Sequence, residues 1–404
     1  MSIRTIDSID AKGKTIIVRV DVNSPLDPKT NLIIDDSRIR LHSETLNELA
    51  DKQARVVVIA HQGRKGDADF TDLRQHSELI KRYTNHNVQF TQNVIGQEAI
   101  ESIKGLTAGD ILFLNNVRLL DEETRDLPPE QHAKGSLVSS LSPLANYFVN
   151  DAFAAAHRSH ASIVGFTRVL PSVAGRVMER ELRALQKVYE SPEKPCIYVL
   201  GGAKPKETFN VIEHVLDKQK ADDVLIGGMI STVFYKASGE DIGELNSKEL
   251  IDKGFASMVE KARRIWEKYH DKIVLPLDVA VDLEERRVEI SRRQFPPSAP
   301  IRDIGTDSVT LFSRIARYSR TLVMNGPLGL FENEAFSLGT VEFLRSLKGS
   351  SAYSVLGGGH SVAALEKYGL TSFVSYVSSA GGAMITYLSG EKLPGVEALR
   401  SSVT

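Results

Sequence analysis

Short apolar runs, each ending on a compact cluster of glycine, arginine, asparagine, histidine or lysine, constrain this chain more than any other feature, because the clusters fall into two chemically different halves. In the first half TIIV leads into Arg19-Val20-Asp21-Val22-Asn23, RVVVIA into His61-Gln62-Gly63-Arg64, ILFL into Asn116-Val117-Arg118, and YFVND, after a short gap, into His157-Arg158-Ser159-His160. In the second half CIYVL leads into Gly201-Gly202-Ala203-Lys204, DVLI into Gly227-Gly228, TLVM into Asn325-Gly326-Pro327-Leu328-Gly329, and AYSVL into Gly357-Gly358-Gly359. The first set suits a small anion and the second a nucleotide.

The runs at 55–60, 111–114, 196–200, 223–226, 273–275 and 321–324 alternate with helical patterns, which predicts parallel strands covered by helices and an α/β class. Helices are expected over 36–50, where Ile39, Leu46 and Leu49 share a face, and over 206–218, where Phe209, Ile212, Val215 and Leu216 do. A length of 404 residues suits two cores of roughly 150–200 residues each. The charged amphipathic segment 175–189, followed by Pro192 and Pro195, reads as a helix joining two domains.

A formal net charge of −2 gives no global field toward nucleic acid or an anionic membrane, so any basic site is a local concentration. No apolar stretch approaches the roughly 20 residues of a membrane span. The single cysteine, Cys196, excludes an intramolecular disulfide framework and fits a reducing compartment, so a cytoplasmic protein is expected. Neither G-x-x-x-x-G-K-[ST] nor a helix-opening G-x-G-x-x-G occurs, which disfavours a P-loop ATPase and an ordinary nicotinamide dehydrogenase.

In open parallel sheets, ligands bind beyond the carboxyl ends of the strands, where helix N-termini present unpaired N–H groups. One glycine cluster is more often an ordinary turn; four in one half favour a ligand site. Arg38, His61, Arg64, Arg118, Arg158 and His160 are six potential cations that such a fold could bring to one rim, and arginine forks pair bidentately with phosphate and carboxylate. His42, His76, His86, His132, His214 and His270 lack metal-ligand spacing and are expected to be solvated, so no zinc site is indicated.

Together these segments resemble phosphoglycerate kinase across nearly the full chain. The resemblance also rests on Asp36-Ser-Arg38-Ile39, Asn150-Asp151-Ala-Phe153, Leu275-Pro-Leu-Asp278, Asp303-Ile-Gly305, Asn325 through Glu332, Glu334-Ala-Phe336, Ser378 through Ala383 and Leu393-Pro-Gly-Val396. It implies two Rossmann-like domains: 1–174 with 391–404 for phosphoglycerate, 191–390 for the nucleotide, and 175–190 as interdomain helix and hinge. The tail after Leu393 looks like the family's strap to the first domain. The implied reaction moves a phosphoryl group between 1,3-bisphosphoglycerate with ADP and 3-phosphoglycerate with ATP, with Mg²⁺. Asp21, Asn23, Arg38, His61, Gly63, Arg64, Arg118 and Arg158 would hold the glycerate. Gly201, Gly202, Lys204, Gly227, Gly228, Asn325, Pro327, Glu332, Gly357, Gly358, Gly359, His360 and Ser361 would frame the nucleotide, with Arg38 and Lys204 as the catalytic cations and Glu332 on the ribose.

Two departures from the commoner bacterial and eukaryotic pattern look like the archaeal branch. Thr208 stands where a second lysine is usual, and His360 where an aspartate helps to hold the metal. A neutral imidazole is a poor Mg²⁺ ligand, so no metal ligand is assigned and the ion is expected on nucleotide phosphates and water. Two other readings compete: a non-catalytic relative, disfavoured by the presence of both Arg38 and Lys204, and a kinase of carbamoyl or acetyl phosphate, which would not need Arg64, Arg118 and Arg158 for a second phosphate.

Overall fold

A computed structural model describes residues 3–403, and the chain divides into two compact units, Met1–Leu182 with Lys392–Thr404, and Arg183–Glu391. The first unit is built on β1 (Thr15–Arg19), β2 (Arg55–Ile59), β3 (Val88–Phe90), β4 (Ile111–Phe113), β5 (Tyr147–Asn150) and β6 (Ser172–Ala174). These six pair in parallel in the order β3-β4-β2-β1-β5-β6. Every residue of β1 is buried, so its TIIV run is apolar on both faces instead of alternating. Arg19 pairs with Ile59 on one side and Asn150 on the other, so β1, β2 and β5 end at one level. The chain crosses from β1 to β2 in one direction and from β5 to β6 in the other, and the diverging exits of β1 and β5 leave the crevice in which such sheets bind ligands.

The second unit contributes β7 (Cys196–Leu200), β8 (Asp223–Ile226), β9 (Ile273–Val274), β10 (Asp278–Leu283), β11 (Arg286–Ser291), β12 (Ile301–Ile304), β13 (Thr321–Asn325), β14 (Tyr353–Gly357) and β15 (Tyr376–Val377). Six of these form a parallel sheet in the order β15-β14-β13-β7-β8-β9, again with diverging exits at two neighbours, β7 and β13. The other three form a separate antiparallel sheet, β11-β10-β12, that the strand pattern does not announce. The reason is local: the two-residue turn between β10 and β11 is Glu284-Glu285, both with positive φ (53° and 62°), whereas the sequence signal for such a turn is Asn-Gly or Asp-Gly.

Six helices matter for the sites: α1 (Ser37–Asp51), α2 (Arg176–Tyr189), α3 (Pro205–Asp217), α4 (Gly359–Lys367), α5 (Gly381–Leu388) and α6 (Pro394–Arg400). The chain passes from the first unit to the second within α2. α6 brings the chain end back onto the first unit, where Gly395 N donates to Ala156 O (2.9 Å) and Ala398 packs with Ala152, Ala155, Ile163 and Val164.

At the exits of β7, β8 and β13 the backbones interlock. Gly201 N donates to Asn325 O (3.0 Å), Gly202 N to Pro327 O (2.8 Å) and Gly228 N to Leu328 O (2.7 Å). A Cβ on Gly201 would overlap the Pro327 carbonyl oxygen, and one on Gly326, whose φ is +84°, would overlap that of Gly201. Alanine at Gly326 therefore meets both a steric clash and an unfavourable dihedral, and Gly326→Ala is expected to lower stability by roughly 2–4 kcal/mol. Trp266, the one tryptophan of the chain, lies in this unit and reports its urea midpoint by fluorescence. Gly359→Ala, with no heavy atom within 4 Å of the added carbon, serves as the control. Equal midpoints for the two variants would contradict the interlock.

Candidate functional site

β1 delivers Arg19 and Asp21 to the crevice of the first unit. The Arg19 guanidinium is 1% exposed; Nε donates to Ser162 Oγ (2.8 Å) and Nη2 to His61 Nδ1 (2.9 Å). Ser162 Oγ in turn donates to the fully buried Glu123 (2.6 Å), whose other oxygen takes the Ser162 N–H (2.8 Å). One hydroxyl thus links a buried cation to a buried anion. Burial raises the Glu123 carboxyl and lowers the Arg19 guanidinium, each shift opposed by the other's charge.

A hydrogen-bonded ladder starts beside this pair. Arg38, from the first turn of α1, donates to Asp21 Oδ2; Asp21 Oδ1 accepts from Asn23 N (3.2 Å); Asn23 Oδ1 accepts from Gly63 N (2.8 Å); Gly63 O accepts from Arg118 Nη1. Gly63 has φ +62°, and a Cβ there would overlap the Asp69 carbonyl. Burial alone would raise the Asp21 carboxyl, but Arg38 and Arg19 hold it well below the ordinary carboxylate range. Asn116 props the far end: its Oδ1 accepts from Arg118 N (3.0 Å) and its Nδ2 donates to Gln62 O (2.7 Å).

Arg64, Arg118, Arg158 and His160 line a cavity of about 640 Å³ together with His157 and Pro394. Asp21, Asn23, Arg38 and His61 do not line it; Asp21, Asn23 and Arg38 join it through the ladder, and His61 stands behind it against Arg19. Burial lowers Arg118 to about 10, helped by Arg158 and Arg19, and lowers Arg158, helped by Arg64. These guanidiniums remain charged at neutral pH and repel one another, a condition an anion relieves. The six expected cations reduce to four: burial and then Arg19 push the His61 imidazole well below its ordinary value, and burial and then Arg158 push His160 down to about 3. Nor are all the remaining histidines solvated. His42, His76 and His132 are buried, with Nδ1 of His42 on Asp151, Nε2 of His76 on Gln62, and Nε2 of His132 on the Ser159 carbonyl.

In the second unit, Gly202, Gly228, Pro327, Leu328, Glu332 and His360 border a cavity of about 370 Å³. Lys204 is the exposed residue that precedes α3 and is not in this lining; neither are Gly201, Gly227, Asn325, Gly357, Gly358, Gly359 and Ser361. Gly358, with φ +90°, packs against the Asn325 amide, and the buried Asn325 Nδ2 and Ser361 Oγ have no hydrogen-bond partner in the protein. Because the amides of Gly201, Gly202, Gly227 and Gly228 donate to carbonyls of the unit itself, these glycines serve close packing of the loops; the first turns of α4 and α5 carry the N–H groups that helix geometry leaves unpaired. Thr208 is buried in α3. His360 Nδ1 lies 3.6 Å from Glu332 Oε1, with its ring against Phe331. Among the described residues no group of three or more His, Cys, Asp or Glu side chains is placed to hold a metal ion.

Arg19, Gln62, Asn116 and Asp151 stand in the strand-end motifs without being marked by them as site residues, and Glu123 and Ser162 lie outside those motifs. In the second unit the motifs also miss Glu249 and Arg302, which meet at 2.8 Å on the cavity wall; Arg302 lies on β12 of the unannounced antiparallel sheet.

The profile of the family described as phosphoglycerate kinase matches residues 6–391. The phosphoglycerate kinase of Methanothermobacter thermautotrophicus is 44% identical over 399 residues, covering 99% of this chain and 97% of its own. That of Sulfurisphaera tokodaii is 40% identical, covering 100% and 97%. Among solved structures, phosphoglycerate kinase from Pyrococcus horikoshii superposes with a TM-score of 0.91 at 38% identity, covering 98% of each chain, and the Coxiella burnetii enzyme with 0.84 at 30%, covering 99% of each.

The neutral His160 makes stability depend on acid. Its pKa falls on folding, so below pH 6.5 the unfolded chain binds the extra proton, and the contribution present above 6.5 is lost as pH falls toward the folded value of about 3. Each such imidazole adds a slope of about 1.4 kcal/mol per pH unit. Urea titrations followed by circular dichroism are expected to show a shallower loss between pH 6 and about 4 in His160→Asn than in the parent; parallel curves would contradict this assignment.

Proposed function

Because the chain belongs to the phosphoglycerate kinase family, and so catalyses reversible phosphoryl transfer between 1,3-bisphosphoglycerate with ADP and 3-phosphoglycerate with ATP, we propose how its two sites divide that reaction. The first unit takes the glycerate ligand, and the observation that carries this reading is the crowd of charged, mutually repelling arginines at the strand exits. Arg64, Arg118 and Arg158 bind the phosphate that is not transferred, with His160 as a neutral hydrogen-bonding neighbour. Asp21, Asn23, Arg38, His61 and Gly63 orient the other end of the molecule, Asp21 through its hold on Arg38. The second unit takes the nucleotide, whose phosphates find the unpaired N–H groups of α4, the Asn325 amide, the Ser361 hydroxyl and Lys204, with the base and ribose toward Gly202, Gly228, Pro327 and Glu332. The glycines at 201, 227 and 357 keep those loops close, and Gly359 opens α4 with no neighbour within 4 Å of where a Cβ would lie.

In the ATP-consuming direction a carboxylate oxygen of 3-phosphoglycerate attacks the γ-phosphorus in line, and the bond to the bridging oxygen of ADP breaks. The carboxylate carries no proton, so no general base is needed. Charge spreads over the three equatorial oxygens, and Arg38 and Lys204 neutralise it. Mg²⁺ is proposed to arrive with the nucleotide on phosphate oxygens and water, since His360 and Glu332 alone make a poor site for a hard cation. Direct transfer also has to exclude water from an acyl phosphate, which calls for a hinge movement in the segment 171–192. The reading includes a cytoplasmic place in glycolysis and gluconeogenesis; among the described residues no helix is long and apolar enough to cross a membrane.

Steady-state turnover of ATP and 3-phosphoglycerate with Mg²⁺ tests the division. Arg38→Ala is expected to lose on the order of 10³-fold in kcat, as for other arginines that neutralise a transferring phosphoryl group. Near-normal turnover would remove Arg38 from the transition state.

A further inference from the structure

One face of α1 carries, behind Arg38, a set of contacts that the chemistry above does not use. Arg38, His42, Thr45 and Glu48 follow one another at helical spacing and share that face. Arg38 holds Asp21; Thr45 Oγ1 accepts from Arg176 N (2.9 Å); Glu48 accepts from Arg176 Nε (2.7 Å) and Nη2 (2.6 Å). Between them His42, 3% exposed, touches two groups at once. The backbone N–H of Asp21 donates to its Nε2 (3.2 Å), and its Nδ1 lies 2.8 Å from Asp151 Oδ2. Asp151 is fully buried, and its Oδ1 accepts from Val177 N (2.8 Å) and Met178 N (3.2 Å), the second and third residues of α2. The opening amides of α2, which helix geometry leaves without intrahelical acceptors, thus end on α1 and on the exit of β5. A Cβ on Gly175 would overlap the Asp151 carboxylate, so α2 can begin this close only with glycine before it.

These contacts dictate the tautomer of His42. A backbone N–H can only donate, so Nε2 carries no proton, and the ring proton sits on Nδ1, where the Asp151 carboxylate accepts it. A buried carboxylate that selects one histidine tautomer does so at a cost in activity when replaced by its amide, because the amide turns the ring proton the wrong way.

We propose that His42 is a positioning residue for the glycerate site: Asp151 fixes its tautomer, and its bare Nε2 pins the Asp21 backbone, so that the Asp21–Arg38 clamp is tied to the first turn of α2. The inference rests on the reading of Asp21 and Arg38 as glycerate-site residues. Both ring nitrogens of His42 are taken by protein groups, so its effect passes through Asp21.

Asp151→Asn separates this role from simple packing. The asparagine oxygen still accepts from Val177 and Met178, but its NH₂ now faces Nδ1, drives the ring proton to Nε2 and sets that N–H against the N–H of Asp21. The KM for 3-phosphoglycerate is expected to rise roughly tenfold or more, the expected scale for a buried donor stripped of its acceptor, while the KM for ATP stays within about twofold. Adding His42→Gln supplies an amide oxygen in place of Nε2, with no tautomer to choose, and brings the KM back toward the parent value. Imidazole ¹⁵N spectra of the histidine-labelled protein, assigned by loss of the signal in His42→Gln, are expected to show a protonated Nδ1 in the parent and a protonated Nε2 in Asp151→Asn. A protonated Nε2 in the parent, or a double variant no better than Asp151→Asn alone, would overturn the proposal. If Arg38→Ala abolishes turnover but Asp151→Asn leaves the KM unchanged, the clamp stands and the positioning role falls. If neither variant alters the kinetics, the assignment of the clamp falls first and the positioning role with it.

Discussion

A guanidinium sealed at the carboxyl end of β1 sets the terms for the whole first unit. Arg19 cannot shed its charge and cannot reach water, so neighbours must satisfy it, and Ser162, Glu123 and His61 do so from three separate segments of the chain. Those contacts have consequences one step away. His61, held against Arg19, stays neutral and becomes an acceptor instead of a cation. Asp21 stays ionised despite burial because Arg19 and Arg38 flank it. A buried ion network of this kind contributes little net stability against an apolar equivalent, so geometry is the better account of what it does. Here it holds the exits of β1 and β5 in one arrangement and leaves the uncompensated positive charge on Arg64, Arg118 and Arg158, where the cavity is.

The second unit reaches the same topological position by different means. At its β7, β8 and β13 exits backbone meets backbone, with Gly201, Gly228 and Gly326 each closing a contact that a Cβ would block. The result is a rim of loops with little side-chain bulk, bordered by two buried polar atoms without partners, Asn325 Nδ2 and Ser361 Oγ. A sheet exit crowded with like charges selects a small, multiply charged ligand. A glycine-lined exit admits a long, flat one. Phosphoryl transfer needs both, and the proposed division places each on its own sheet.

The sequence carried the parallel sheets clearly, because runs such as CIYVL and TIIV are buried on both faces and their polar ends mark the strand exits. The glycine clusters read as ligand loops or ordinary turns, and nothing local chooses between them, since whether an amide at Gly202 points to a ligand or to Pro327 is decided by a loop more than a hundred residues away. The antiparallel sheet was invisible because Glu284-Glu285 makes a turn with residues that rarely adopt it. The protonation of His61 and His160 was equally out of reach: an imidazole reads as a cation until the arginines around it and its burial are known. His42 reads as solvated from sequence because helical spacing alone shows which residues share a face, not that Asp21 and Asp151 stand opposite that face.

The assignment of one ligand to each unit is the claim on which the rest turns, and calorimetric titration of the full chain with each ligand separately tests it most directly. In Arg118→Ala the affinity for 3-phosphoglycerate is expected to fall roughly tenfold or more with ADP affinity unchanged, and in Lys204→Ala the reverse, since each removes a charge-assisted contact to one ligand only. Loss of both affinities in either variant, or of neither in both, would contradict the division.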